Sequence, residues 1–282
     1  MAAVFFRPRR SENCNTMKRF NPVVCFLSRF LTALSLATVR PSLAAAVLAL
    51  FALSACAGGS ATENYELQRT WDNAMVLIKD ENLGVVAGRM NNRGMKWALR
   101  QLEAGDNRPV MIYLHGCDGL YWNNGPSAFR ELAGRGYVII APDSFARDYR
   151  PEQCGSQNNW TAAARFGEIR HARAQLQQLP WVDQENVFLA GGSEGGYYAG
   201  AYAGKGFRGR IVMSAPCWFG IGDMPNTLAV WSKRDPWMRG YHCAQANRKV
   251  VLDSEEHNVL MFEETAEAIR SFLEEYSTAD SS

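Results

Sequence analysis

The groups in this chain that could do chemistry are a serine set among glycines, four histidines, and aspartates at the ends of apolar runs. Ser193 stands in Gly191-Gly192-Ser193-Glu194-Gly195-Gly196, after the apolar Val187–Ala190 and before a stretch of helical character, Glu194–Ala203. A Gly-x-Ser-x-Gly spacing at a strand-to-helix turn forces unfavourable backbone angles on the serine. The residues two positions away must then be small enough to clear the turn. The hydroxyl is thereby presented at a helix start, where the dipole and free N–H groups favour developing negative charge. Such a group suits attack on a carbonyl carbon, with a histidine as base and a carboxylate to hold the imidazole tautomer. The plain alternative is a glycine-rich turn that happens to expose a serine.

Groups of this kind need a rigid frame, and the chain from about residue 95 supplies one as alternating short apolar runs and longer amphipathic stretches. Val110–His115, Tyr137–Ala141, Val187–Ala190, Arg210–Ser214, Leu228–Trp231 and Val250–Leu252 are predicted strands. Pro126–Arg135, residues 161–179 and Glu194–Ala203 are predicted helices. So is a last one burying Ile269, Phe272, Leu273 and Tyr276. Continuous rather than alternating apolar strands, separated by helices, predict a mostly parallel sheet with helices on both faces. Residues 63–94 are less legible: Trp71–Lys79 reads as a strand or short helix, and Gly84–Gly94 as turns. The 282 residues are 47% hydrophobic and 21% charged, which excludes wholesale disorder and a coiled coil. Residues 1–55 hold seven of the 30 Lys/Arg and one of the 28 Asp/Glu. That leaves 23 basic against 27 acidic residues beyond them, a net of −4 with no electrostatic footprint for nucleic acid.

Three stretches carry a family resemblance: Tyr113-Leu114-His115-Gly116-Cys117-Asp118-Gly119, Ala141-Pro142-Asp143-Ser144-Phe145-Ala146-Arg147 and the glycine-flanked Ser193. Over about residues 95–276 the chain resembles the α/β-hydrolases, and among them the dienelactone hydrolase-like group. The namesakes of that group use cysteine where this chain has Ser193, which moves the expectation toward a serine esterase. The resemblance implies an α/β-hydrolase fold without a large lid and a chain order of nucleophile, acid, histidine. On that order Ser193 is the nucleophile. His257, in the loop after the last strand, is the base rather than His242. Asp235, after the Leu228–Trp231 strand, is the acid, with Asp223 as its rival. The implied oxyanion donors are the N–H groups of Glu194 and Cys117. His115 is expected to order its loop, and His171 to face solvent. The implied reaction is hydrolysis of a small ester or lactone through an acyl-serine, with no cofactor. A serine peptidase and a non-catalytic binding lipoprotein on the same scaffold are the alternatives.

The N-terminus reads as an address. The apolar run Leu43–Leu53 is preceded by Arg40 and followed by Ser54, Ala55 and Cys56. Eleven helical residues span about 16 Å, short of the ~30 Å hydrocarbon core. Leu53-Ser54-Ala55-Cys56 resembles a bacterial lipobox, which implies a signal peptide over 1–55, a lipid on Cys56 and membrane attachment through it. A plain secretory signal and an uncleaved anchor are the alternatives. Residues 56–70 then read as a flexible tether and 71–282 as the hydrolase domain, placed in the bacterial cell envelope or secreted. Four cysteines remain in the body: Cys117, Cys154, Cys217 and Cys243. In the strand order of the family the chain resembles, their loops fall into two neighbouring pairs, which implies disulfides Cys117–Cys154 and Cys217–Cys243.

Overall fold

A computed structural model describes residues 61–120, 125–148, 150, 159–217, 224–238, 243 and 245–277. The contacts of the chain divide it after Gly58. The expected signal segment and Cys56 lie outside the described residues. The expected tether is corrected in its C-terminal part: α1, Ala61–Asp72, is a helix that buries Leu67, Thr70 and Trp71. Among the described residues, no helix is long and apolar enough to cross a membrane.

The α/β fold expected from the strand–helix alternation is the one observed. Among the described residues eight strands form one sheet: β1 (Met75–Asp80), β2 (Gly84–Arg89), β3 (Arg108–Leu114), β4 (Val138–Ala141), β5 (Val182–Gly192), β6 (Gly209–Met213), β7 (Met224–Ser232) and β8 (Ala246–Leu252). Their order across the sheet is β2-β1-β4-β3-β5-β6-β7-β8. β1 runs antiparallel to both its neighbours, and every pair from β4 to β8 is parallel. The hairpin β1–β2 replaces the turns expected over Gly84–Gly94. Its second strand is glycine-bearing and half-exposed, so it carries too little apolar alternation to be read as a strand.

Both faces of the sheet are covered. Met111 and Tyr113 of β3 point to the side where α3 (Ser127–Gly134) and α6 (Glu263–Tyr276) pack through Phe129, Leu132, Ile269 and Phe272. Val110, Ile112 and Leu114 point to the other side, against Ile169 and Leu176 of α4 (Asn159–Leu176) and Tyr198 of α5 (Glu194–Ala201). Trp71 of α1 and Met95 of α2 (Arg93–Arg100) complete that layer. Alternate side chains of one strand thus serve two cores, which is why the strand reads as an unbroken apolar run. The parallel strands all end at one edge. There β3 leads into His115, β5 into Ser193, β6 into Ser214, β7 into Asp235, and β8 into the loop of His257.

Cys217 and Cys243 form a disulfide at that edge, with Cα atoms 4.6 Å apart. It joins the segment after β6 to the one before β8, and its Cys217 end packs on α5: a Cβ on Gly200 would stand 3.3 Å from Cys217 Sγ. Cys117 is disulfide-bonded as well. Cys154, its expected partner, lies outside the described residues. Cross-linking positions 26 apart removes unfolded-state entropy equivalent to roughly 3 kcal/mol. A Cys217→Ser/Cys243→Ser double variant is therefore expected to unfold in urea with a loss of about 3 kcal/mol, and an unchanged midpoint would contradict this.

Candidate active site

Ser193 sits between β5 and α5 with φ 52° and ψ −121°, a conformation that non-glycine residues rarely hold. The sheet and the following helix over-determine it. Ser193 N–H donates to Met213 O at 2.9 Å, and Ser193 O accepts from Tyr197 N–H at 3.0 Å. The glycines around it are needed for clearance. A Cβ at Gly195 would lie 2.0 Å from Leu114 O, and one at Gly191 would lie 2.3 Å from Gly195 O. A Cβ at Gly196 would come 2.7 Å from Met213 O. The first turn of α5 can therefore lie against the ends of β3 and β6 only if it carries no side chains there.

His257 bridges the other two residues singled out from the sequence. Its Nδ1 is 2.6 Å from Asp235 Oδ2, and its Nε2 is 2.8 Å from Ser193 Oγ. A carboxylate only accepts, so Nδ1 carries the proton and Nε2 is left to accept the serine hydroxyl's. The Asp235 side chain is fully buried, while that of His257 keeps 29% of its surface. Trp237 N–H donates to Asp235 Oδ1 at 2.9 Å, so both carboxylate oxygens have partners. The Trp237 ring stands 6.0 Å from the His257 ring and is 69% exposed.

Two serines to which the sequence assigned no role hold the His257 loop. Ser214, at the end of β6, donates its hydroxyl to His257 O at 2.6 Å. Ser232, at the end of β7, donates to Glu256 O at 2.6 Å. Asp223 and His242, the rivals for acid and base, lie outside the described residues. Asp253 is exposed and pairs with Arg234. His171 is half-buried rather than solvent-facing, with Gln175 Nε2 3.4 Å from its own Nε2.

The loop after β3 passes beside the serine: a Cβ on Gly116 would stand 3.4 Å from Ser193 Cβ. The Nδ1 of His115 is 2.6 Å from Gly116 O, and its Nε2 accepts Ser144 N–H at 3.0 Å. The second bond leaves Nδ1 as the donor, so the ring is the neutral Nδ1–H tautomer. Gly116 O also accepts Gly119 N–H at 3.2 Å. In a trans peptide the N–H opposes the C=O, so holding Gly116 O aims Cys117 N–H to the other side. Glu194 N–H opens α5, where no intrahelical acceptor exists for it.

Behind this loop lies a charged cluster that the sequence did not reveal. Arg165 and Glu168 are fully buried and pair at 3.0 Å. Arg147 Nε pairs with Glu168 at 3.1 Å, and Arg150 Nη2 with Glu194 at 2.6 Å. The only signal was Arg165 standing four residues before Ile169, in line with the apolar stripe of α4. Burial, and after it the Arg165 charge, hold the pKa of His115 well below its ordinary 6.5.

No protein-family model matches the chain. No curated protein matches it either. Solved structures with a similar chain path include an acylaminoacyl peptidase of Pyrococcus horikoshii, 16% identical with a TM-score of 0.45 over 64% of this chain and 39% of that one. A protein of Klebsiella pneumoniae described as a dienelactone hydrolase is 14% identical, with a TM-score of 0.44 over 73% and 99% of the two chains. A thermostable esterase is 14% identical, with a TM-score of 0.41 over 73% and 64%. The chain thus spans well under half of the peptidase and nearly all of the dienelactone hydrolase.

The buried, neutral His115 has a consequence for stability. The unfolded chain protonates this histidine as pH falls below about 6.5, and the folded chain does not until its lower pKa is reached. Stability contributed by the neutral ring is thus complete above pH 6.5 and lost on acidification, by up to about 1.4 kcal/mol per pH unit. A His115→Gln variant is expected to show a shallower loss of urea stability between pH 6.5 and 5 than the unsubstituted protein. Equal slopes would contradict the assignment.

Proposed function

We propose that this protein is a serine carboxylic-ester hydrolase of the dienelactone hydrolase-like type, and the reading is carried by His257 standing in hydrogen-bond contact with both Asp235 and Ser193. His257 Nε2 takes the proton as Ser193 Oγ attacks the ester carbonyl, and Asp235 stabilises the imidazolium that results. The oxyanion is received by the N–H groups of Glu194 and Cys117. His257 then returns its proton to the leaving alcohol. A water deprotonated by the same imidazole cleaves the acyl-serine and restores the serine. The exposed face of Trp237 beside His257 offers an apolar surface to the substrate at the point where the alcohol departs. Serine rather than cysteine at the elbow favours a simple ester over the lactone of the namesake enzymes.

On a short p-nitrophenyl ester, Ser193→Ala is expected to lower kcat by on the order of 10³-fold or more, with folding retained. Asp235→Asn is expected to cause a comparable loss, because the imidazole tautomer is no longer held. Wild-type turnover in either variant would remove that residue from the mechanism. A matched set of peptide and ester substrates separates an esterase from a peptidase.

We also propose that Leu53-Ser54-Ala55-Cys56 directs lipid attachment at Cys56 and places the domain at the bacterial cell envelope. The support is the short apolar run before it and the disulfide in the body, a bond that persists in oxidising compartments. Cys56→Ser is expected to abolish metabolic labelling by a fatty acid and to release the protein into the soluble fraction. Unchanged membrane retention would instead indicate an uncleaved N-terminal helix.

A further inference from the structure

Arg165 is a guanidinium with no accessible surface, placed on the face of α4 that meets the carboxyl edge of the sheet. Taking such a group out of water costs several kcal/mol unless its donors are met. Its Nη1 donates to Ser144 Oγ and to Glu168 Oε2, the latter at 3.0 Å. Its Nη2 donates to His115 O at 2.6 Å. Its Nε makes no hydrogen bond but lies 3.7 Å from Glu194 Oε1. The same carboxylate oxygen receives Arg150 Nη2, whose guanidinium stacks 4.2 Å over the Phe145 ring.

The two ends of the Arg165 guanidinium touch the two halves of the proposed oxyanion pocket. His115 O belongs to the peptide leading into Gly116, at the root of the loop that carries Cys117. Glu194 is the first residue of α5 and supplies the other N–H. The two halves already meet closely: a Cβ on Gly195 would fall 2.6 Å from His115 O, so that carbonyl lies against the first turn of α5. Arg165 spans this seam from behind. Two donors serve one oxygen only if both come within 2.7–3.1 Å of it, and a displacement of ~0.5 Å spoils that convergence.

We propose that Arg165 is a positioning residue of the ester-hydrolysis reaction: by holding the His115 carbonyl and the Glu194 carboxylate at once, it sets the separation between the Cys117 and Glu194 N–H donors. This rests on the serine-hydrolase reading above. Arg165 touches no substrate, and its effect appears only where charge develops on the carbonyl oxygen. Lysine keeps the charge but cannot reach both halves with a rigid fork.

The test compares the unsubstituted protein with Arg165→Lys, Arg165→Gln and Glu194→Gln on a p-nitrophenyl ester and on its thionoester, whose sulfur accepts hydrogen bonds poorly. For Arg165→Lys, kcat on the ester is expected to fall about 30- to 100-fold with KM within about threefold. The thionoester rate is expected to change little, so the oxygen-over-sulfur preference falls by about tenfold or more. A folded Arg165→Lys with unchanged kcat overturns the proposal. So do equal losses on both substrates, which would mark a purely structural role. If neither Arg165 variant folds, Glu194→Gln is compared with Arg150→Gln: the first weakens the links of both arginines to α5 and the second only that of Arg150, so an equal fall in substrate preference in the two overturns the proposal. A fluorophosphonate probe on the unsubstituted protein separates the two levels. No labelling at Ser193 and no ester turnover would overturn the hydrolase reading and this inference with it. Labelling with an unmoved substrate preference overturns this inference alone.

Discussion

The site depends on how closely the chain can approach itself around Ser193. Leu114 O would stand 2.0 Å from a Cβ on Gly195, and Gly195 O would stand 2.3 Å from one on Gly191. Neither contact is possible with a side chain. Because these glycines have none, α5 starts directly over the ends of β3 and β5, and Ser193 is forced to φ 52° at the crossing. Backbone strain of this kind costs on the order of 1–3 kcal/mol and survives only where the surroundings over-determine it. Here the sheet does so on one side, through Met213 O, and the helix α5 on the other, through Tyr197 N–H. The hydroxyl is consequently held at the sheet edge with little freedom to move.

The rest of the constellation is brought to that fixed point by the same edge. β6, β7 and β8 are successive neighbours in the sheet, so their C-terminal ends lie side by side. Ser214 and Ser232 use this adjacency to hold the backbone of the His257 loop at His257 and Glu256. Asp235 follows one turn after Ser232, and it is buried with both carboxylate oxygens occupied by His257 Nδ1 and Trp237 N–H. The imidazole is held from its backbone and from its ring, which leaves Nε2 directed at Ser193. A third strand-end bond, Lys233 N–H to Leu252 O at 2.8 Å, keeps β7 and β8 together as they leave the sheet.

On the opposite side of Ser193 the frame is ionic rather than apolar. Three arginines (Arg147, Arg150 and Arg165) meet two glutamates (Glu168 and Glu194) beneath the loop after β3. An apolar filling of equal volume would be at least as stable, because desolvating each ion costs several kcal/mol. What a packed apolar cluster lacks is direction. Guanidinium groups fix particular oxygens at particular angles, and one of the oxygens fixed here is the carbonyl of His115.

Much of this was determined by the sequence itself, wherever the cause was local. Unbroken apolar runs are what a strand buried on both faces requires, and β3 to β7 were legible for that reason, whereas the edge strand β8 showed only its short Val250–Leu252 run. The elbow was legible because the turn itself demands a small residue: a Cβ on Gly191 would meet Gly195 O, four residues further on, whereas the contacts that require glycine at 195 and 196 come from β3 and β6. The β1–β2 hairpin was not, since Gly84–Arg89 is half-exposed and holds two glycines, and its strand character comes from pairing with β1. Asp235 and His257 could be selected by chain order, but their 2.6 Å contact is a property of neighbouring strand ends. Ser214, Ser232 and Glu168 left no readable mark, and Arg165 only its place in line with the apolar stripe of α4, because a serine after a strand or a charged residue in a helix is ordinary in sequence. Their roles arise from partners 3 to 50 residues away along the chain. Only the packing of α4, α5 and the sheet edge decided that those partners would meet. The reason is that burial, hydrogen bonding and close approach between elements depend on distance in space, whereas periodicity and the clearance within a single turn can be read along the chain.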